Sequence, residues 1–278
     1  MKIVFLGVGS AFTLPSHLKE SNNAIPKTID DCDWQSNVVV VSKSGKMLLI
    51  DCGGDIRFAL WQQGLSYKDI DAVYVSHLHA DHIGGMEYIG FCRFFDKGAG
   101  GPPTLFMVDT LMQEMWDHSL SGGLDSIEGQ VMTLTGYFKC CPVQINDSFY
   151  WEGIKFTPIQ TVHIMAGYKI RNSYGLLIDN TPKVCKMYTP VFFTSDTQFC
   201  PAQIAKFYAH SDLILQDCET SPFKSGVHAH YDDLKTLPNG MRSKMWLYHY
   251  QPNPKQDAKA DEFAGFVKKG QVFEIAEE

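Results

Sequence analysis

The stretch SHLHADHIGG, residues 76–85, places His77, His79, Asp81 and His82 in one short turn. That turn constrains the fold more than any other part of the chain. Neutral imidazole and carboxylate are good ligands for zinc and its divalent neighbours. Four such groups cannot all reach one ion from a single turn of backbone. His77 and His79, two apart, face one ion; adjacent Asp81 and His82 face a second. Each site is then incomplete. Paired metals sit about 3.5–4 Å apart, so one bridging carboxylate would serve both. The fold must therefore carry further ligands to this turn from distant segments.

The candidates are His163 in QTVHIM, Asp196 in FFTSDTQ and His249 in LYHYQP, each expected at the end of an apolar strand. A lone histidine or aspartate in such a place is more often a hydrogen-bonded surface residue. The turn at 76–85 changes that balance, because it creates a demand for one or two histidines and one carboxylate.

The rest of the chain reads as alternating short strands and helices. KIVFLGVGS is a strand entering a glycine turn, and NVVVVSKSGKMLLIDCGG is two strands around a Ser-Gly turn. DIRFALWQQGL has helical spacing with Gly64 as its stop, and IDAVYVSH is a buried strand feeding the histidine turn. GGMEYIGFCRFF and DTLMQEMWDHSL are expected helices, the second capped by Asp109 or Thr110. FYWEGIKFTPIQTVH and YGLLIDNTPKVCKMYTPVFFTSDT read as hairpins; SDLILQDCET and KMWLYHY are buried strands. With no linker or repeat, one domain over 1–278 is expected, with two sheets meeting where the polar residues collect at strand ends.

Composition excludes several functions. No apolar run reaches the roughly 18 residues of a membrane span, and the opening lacks the pattern of a signal peptide, so cytoplasm is the expected location. The eight cysteines form no CxxC pair and are expected as reduced thiols. A net charge of −7 and the lack of a basic run disfavour extended nucleic-acid binding, though not a pocket for one phosphate.

His77-x-His79-x-Asp81-His82 followed by Gly84-Gly85 resembles the signature of the metallo-β-lactamase fold superfamily. Further landmarks follow in the expected order over nearly the whole chain: Asp51 in LLIDCGGD, His163, Asp196 and His249. The resemblance implies an α/β fold, a four-layer αββα sandwich of two mixed β-sheets flanked by helices. It implies His77, His79 and His163 on one divalent metal, Asp81, His82 and His249 on another, and Asp196 bridging. Zinc is the expected ion; manganese and iron accept the same ligands. Asp51 would brace the histidine turn rather than bind metal, although a simple turn-former before Gly53-Gly54 is compatible with that. Asp81 counts with the catalytic residues as well as with the ligands.

The superfamily hydrolyses lactams, thioesters, lactones and phosphodiesters, so the fold leaves the substrate open. Three features resemble ribonuclease Z and its phosphodiesterase relatives: His163 with an aspartate bridge, the LLIDCGGDIRFAL stretch, and QDCETSPFKSGVHAHYDDL. The last resembles a Glu-Ala/Thr pair followed by a catalytic histidine. His228 fits that histidine's register, and His230 stands where the relatives commonly carry threonine, so both remain candidate general acids. The connection between His163 and Asp196, with Lys183 and Lys186, is a compact hairpin without the RNA-gripping arm of ribonuclease Z.

The expected activity is hydrolysis of a small phosphodiester such as a cyclic nucleotide by a metal-bridging hydroxide. The alternatives are an endoribonuclease similar to ribonuclease Z, a lactone or thioester hydrolase, or a binding protein on the same scaffold. The relatives often dimerise, so a homodimer is a further expectation. Residues 13–34 read as an unspecialised surface loop; the alternative is a pocket wall in which Phe12, His17 or Trp34 touches a base.

Overall fold

The computed structural model describes residues 1–11, 32–180 and 190–275. Two seven-stranded mixed sheets form its middle. The first runs in the order β16-β1-β2-β3-β4-β5-β8: Val272–Glu274, Lys2–Phe5, Val38–Val41, Met47–Ile50, Ile70–Tyr74, Thr104–Val108 and Lys139–Val143. The second runs β15-β14-β13-β12-β11-β10-β9: Gly265–Phe266, Met245–Tyr248, Leu213–Asp217, Val191–Phe193, Lys169–Asp179, Ile154–Ala166 and Phe149–Trp151. A two-stranded ribbon, β6 (Ser126–Ile127) and β7 (Gln130–Val131), stands apart.

The central strands are short β-branched and aliphatic runs such as VVVV and MLLI, buried on both faces, which removes the polar alternation of a one-sided sheet. The sheets pack face to face over one core of Ile3, Phe5, Val38, Leu48 and Ile50 from the first and Phe156, Leu176, Phe193 and Leu215 from the second. An aromatic stack fills the gap between them. Phe149 lies flat against Phe106 and Phe156, with ring centroids 4.2 and 5.0 Å apart. The Tyr74 hydroxyl crosses from the first sheet to donate to the Tyr174 carbonyl at 2.8 Å.

Helices cover the outer faces. Over the first sheet lie α1 (Ile56–Gln62), α2 (Ala80–Ile83), α3 (Met86–Phe95), α4 (Asp109–Met115), α5 (Ser121–Leu124) and α6 (Leu134–Tyr137). A π-helical turn, Trp116–Leu120, continues α4. Over the second sheet lie α7 (Pro201–His210), α8 (Tyr231–Leu234) and α9 (Asn239–Arg242). The result is the four-layer αββα sandwich that the family resemblance implies.

Three details differ from the sequence reading. β10 and β11 form one long hairpin whose tip is the Gly167-Tyr168 turn, with Ala166 opposite Lys169. His163 therefore lies inside β10 rather than at a strand end. Neither Asp109 nor Thr110 caps α4 through its side chain, and Val108 occupies the capping position. Lys183, Lys186, Phe12 and His17 lie outside the described residues. Trp34 is described: it stacks on Phe58 at 5.9 Å, and its indole donates to Gln62 Oε1 at 2.6 Å. Among the described residues Cys52, Cys92, Cys140, Cys141, Cys200 and Cys218 are thiols outside any disulfide.

Candidate metal centre

The histidine turn gets its shape from the end of β3. Backbone bonds run from Cys52 N to His82 O at 2.7 Å and from Gly85 N to Cys52 O at 2.8 Å. A β-carbon on Gly53 would stand 2.3 Å from the Asp81 carbonyl oxygen, so only glycine permits this approach. Asp51 accepts from Ser76 N and Ser76 Oγ, both at 2.8 Å, and its Oδ2 lies 2.8 Å from His82 Nδ1. His79 is extended, whereas Asp81 and His82 sit in the single turn of α2. The change of backbone direction turns the two ligand pairs to different points.

The distant residues arrive by irregularities in the second sheet. The β10–β11 register shifts between Val162, opposite Asn172, and Ile164, opposite Arg171, leaving His163 as the extra residue of a bulge. Bulges re-aim a side chain in this way. The freed His163 carbonyl accepts from Gln198 Nε2 at 2.8 Å, and Gln198 N donates to Val162 O at 2.8 Å. Asp196 follows β12, and His249 follows β14. Left-handed backbone recurs here at Asp51, Ser195 and His249, with φ of 60°, 51° and 62°. Each costs about 1–2 kcal/mol in an L-residue, strain typical of functional sites.

Two sets of atoms converge. His79 Nδ1 lies 3.1 Å from His77 Nε2 and 3.0 Å from His163 Nε2, and Asp196 Oδ2 is 3.7 Å from both of those Nε2 atoms. In the second set, His82 Nε2 is 3.2 Å from Asp81 Oδ2 and 3.3 Å from Asp196 Oδ2. His249 Nε2 is 3.3 Å from Asp81 Oδ2 and 3.6 Å from Asp196 Oδ1.

Ligands about 2.0–2.1 Å from a tetrahedral ion stand roughly 3.3 Å apart, which is the spacing found here. Hydrogen bonding does not account for it. His79 Nδ1 cannot donate to two imidazoles at once, and His82 Nε2 and Asp196 Oδ1 are buried without any hydrogen-bond partner despite their close neighbours. The opposite ring nitrogens are held elsewhere: His82 Nδ1 by Asp51, His77 Nδ1 by Ser76 Oγ at 3.0 Å, and His163 Nδ1 by the Val227 carbonyl at 3.1 Å. Their Nε2 lone pairs are thus left to the centre. The residues fit two divalent ions sharing Asp196.

Burial opposes every charge in this cluster. For His163 it prevails, with the His228 and His79 imidazoles adding to it, and the ring falls to about 4. His77 falls well below its ordinary value by burial and the neighbouring His82. Asp196 stays ionised despite its burial because His249 and His82 hold it far down. The same carboxylate, with Asp217 and Asp81, overcomes burial to raise His249 to about 10. His77 and His163 are thus neutral beside an ionised bridge, as ligands require, whereas His82 and His249, raised by the carboxylates around them, would release a proton to an incoming ion.

A residue missed by the sequence reading completes the site. Asp217, fully buried at the end of β13, faces His228 Nδ1 at 3.0 Å through Oδ2 and His249 Nδ1 at 3.3 Å through Oδ1. Its Oδ2 also accepts from Thr197 N at 2.9 Å, and the His249 contact is close but out of hydrogen-bond line. Asp217, Asp196, His228 and His249 are themselves close enough to hold an ion, but His228 Nδ1 is already engaged by Asp217. The signal was the carboxylate ending LILQD, inside a stretch singled out for other residues. His228 and His230 part company here. The His228 ring lies 5.2 Å from His163 and 4.8 Å from His249. His230 is buried away from them: Nδ1 accepts from Asp232 N as the cap of α8, and Nε2 lies 2.9 Å from the Ser221 carbonyl.

Comparison with known proteins agrees with this architecture. The family model described as Anti-Pycsar protein Apyc1 matches residues 1–273. An Anti-Pycsar protein Apyc1 from Paenibacillus harenae is 31% identical over 252 residues, 90% of each chain. The Bacillus subtilis metallo-β-lactamase fold protein YhfI superposes with a TM-score of 0.68 at 17% identity, over 98% of both chains. The short form of human tRNase Z superposes with a TM-score of 0.65 at 16% identity, over 99% of this chain and 100% of the other. At those identities the structures share the fold.

Proposed function

This chain belongs to the anti-Pycsar protein Apyc1 family, and from that premise we propose that it is a dinuclear metal-dependent phosphodiesterase acting on a small phosphodiester such as a cyclic nucleotide. The observation that carries the reading is the convergence of two ligand sets on Asp196 with a carboxylate-braced histidine beside them. His77, His79 and His163 would hold one ion, Asp81, His82 and His249 the other, and Asp196 both. Zinc suits the set; manganese and iron would use the same donors. When bound, the ions supply an acidified water and neutralise charge on the phosphoryl oxygens.

The remaining work falls to side chains. A departing alkoxide needs a proton, and His228 is placed to give it. Burial disfavours its charged form, but Asp217, with Asp196, outweighs burial and raises its pKa, which favours the protonated ring that a general acid needs. With Nδ1 engaged by Asp217, Nε2 is left to meet the leaving oxygen. The buried His230 ring, spent on a helix cap and a backbone carbonyl, has no nitrogen to offer.

Two features favour a small substrate over RNA: the net charge of −7 and the short stretch of sequence between His163 and Asp196. We place residues 1–278 in one domain, acting as a homodimer in the cytoplasm. Among the described residues no helix is long and apolar enough to cross a membrane. Purified, metal-loaded protein is expected to hydrolyse 3′,5′-cyclic nucleotides and bis-p-nitrophenyl phosphate, losing both activities on chelation. Full metal occupancy without turnover of either would sink the reading, and light scattering at the monomer mass would remove the dimer.

A further inference from the structure

A cleft of about 530 Å³ opens from His77, His79 and His163, the last of which lies 5.2 Å from the His228 ring. Its volume lies in the range of small-ligand sites. One wall is β11, through Arg171 and Asn172; the other is α4 and the π-helical turn, through Glu114, His118 and Ser119. Both walls are shaped by irregular backbone. Asn172 and Arg171 are the residues opposite the His163 bulge, so the irregularity that turns His163 to the metals also sets these two on the cleft. The widened π turn brings His118 and Ser119 to the opposite side, and such turns recur at functional sites.

The Arg171 guanidinium donates to Glu114 Oε1, tying hairpin to helix across the cleft. Arg171 is the cleft residue with the most donors, and its planar fork is held in place by that carboxylate. Asn172 adds a carboxamide with both donor and acceptor, while Leu111 and Tyr174 supply apolar surface. A wall of fixed donors and acceptors beside apolar faces matches the edge and ring of a nucleobase better than it matches a simple alkyl or aryl ester.

We infer that this cleft is the nucleoside subsite of the enzyme, with Arg171, Glu114 and Asn172 as the residues that determine specificity for a mononucleotide phosphodiester. The inference rests on the phosphodiesterase reading: the phosphate lies at the ligand cluster, and its sugar and base fill the adjoining space. Glu114 is a positioning residue for Arg171. The pair is half exposed, so its removal changes folding stability little, and the variants remain testable as folded protein.

The test uses the metal-loaded full chain and its Arg171→Ala, Asn172→Ala and Glu114→Gln variants. Kinetics are measured on purine and pyrimidine 3′,5′-cyclic mononucleotides, and calorimetry follows binding of nucleoside 5′-monophosphates. Each variant is expected to raise nucleotide KM and Kd about tenfold for Arg171→Ala and several-fold for the others, with the loss falling on KM rather than kcat and metal content unchanged. Wild-type turnover with variant KM and Kd within twofold of wild type would overturn the subsite. Should wild type turn over no phosphodiester, the phosphodiesterase reading fails by itself. In that case weakened 5′-monophosphate binding in the variants still supports the cleft, and absence of such binding in wild type removes it.

Discussion

His228 and His230 lie two residues apart, and their ring nitrogens meet different partners. His228 Nδ1 rests on the Asp217 carboxylate, leaving Nε2 to the site, while His230 spends both nitrogens on backbone groups. The difference is open to measurement. His228→Ala is expected to lower kcat on a cyclic nucleotide by about 10²–10⁴, the usual range for a general acid. The loss on bis-p-nitrophenyl phosphate should be much smaller, because p-nitrophenolate departs without a proton. Equal losses on both substrates would argue against the general-acid role. His230→Ala removes a helix cap, costing about 1 kcal/mol, and should lower Tm by a few degrees while metal content stays constant. An unchanged Tm with lost catalysis would reverse the two assignments. Both histidines were legible in GVHAHYDD, but the choice between them was not, since the partners that decide it, Asp217 and Ser221, come from other positions in the fold.

At the scale of elements, the site depends on close approaches between segments. The end of β3 presses against the histidine turn at Gly53, and β11 presses against the strand carrying Asp196, where a β-carbon on Gly175 would stand 2.5 Å from the Phe193 carbonyl oxygen. Gly53→Ala must therefore push the turn away from Asp51. Metal content measured by mass spectrometry is expected to fall about 10–100-fold in affinity terms, the loss typical when support behind ligands is disturbed. Full metal affinity in that variant would show that the turn holds its shape without β3. The sequence marked Gly53 and Asp51 as turn-forming and bracing residues, and strand and helix positions followed from apolar periodicity. The bulge at His163 was not legible. A bulge is set by how two strands pair, and each strand alone reads as an ordinary alternation.

At the scale of the molecule, two sheets bring candidate ligands to one edge: the first gives His77, His79, Asp81 and His82, the second His163, Asp196 and His249. Metal binding therefore ties the halves together and should stabilise the whole fold. An ion at a hundred times its Kd adds about 2.7 kcal/mol, and each kcal/mol is worth roughly 2–4 °C for a chain of this size class. Chelation is expected to lower Tm by several degrees, restored by zinc, as read by scanning calorimetry. An unchanged Tm with metal demonstrably removed would mean that the two sheets hold their arrangement without the ions.

The sequence by itself determined the candidate ligand types, their division into two incomplete pairs at one turn, and the demand for further histidines and a carboxylate, for which His163, Asp196 and His249 were the candidates. That much is local chemistry: imidazole and carboxylate at short spacing admit few other readings. Only the tertiary structure decided how those residues meet. It placed Asp217 behind His228 and His249, turned His163 out of its strand, withdrew His230 into a helix cap, and opened the cleft between Arg171 and Glu114. Each of these depends on which atoms face one another across separate strands and helices, and spacing along one chain does not encode such contacts.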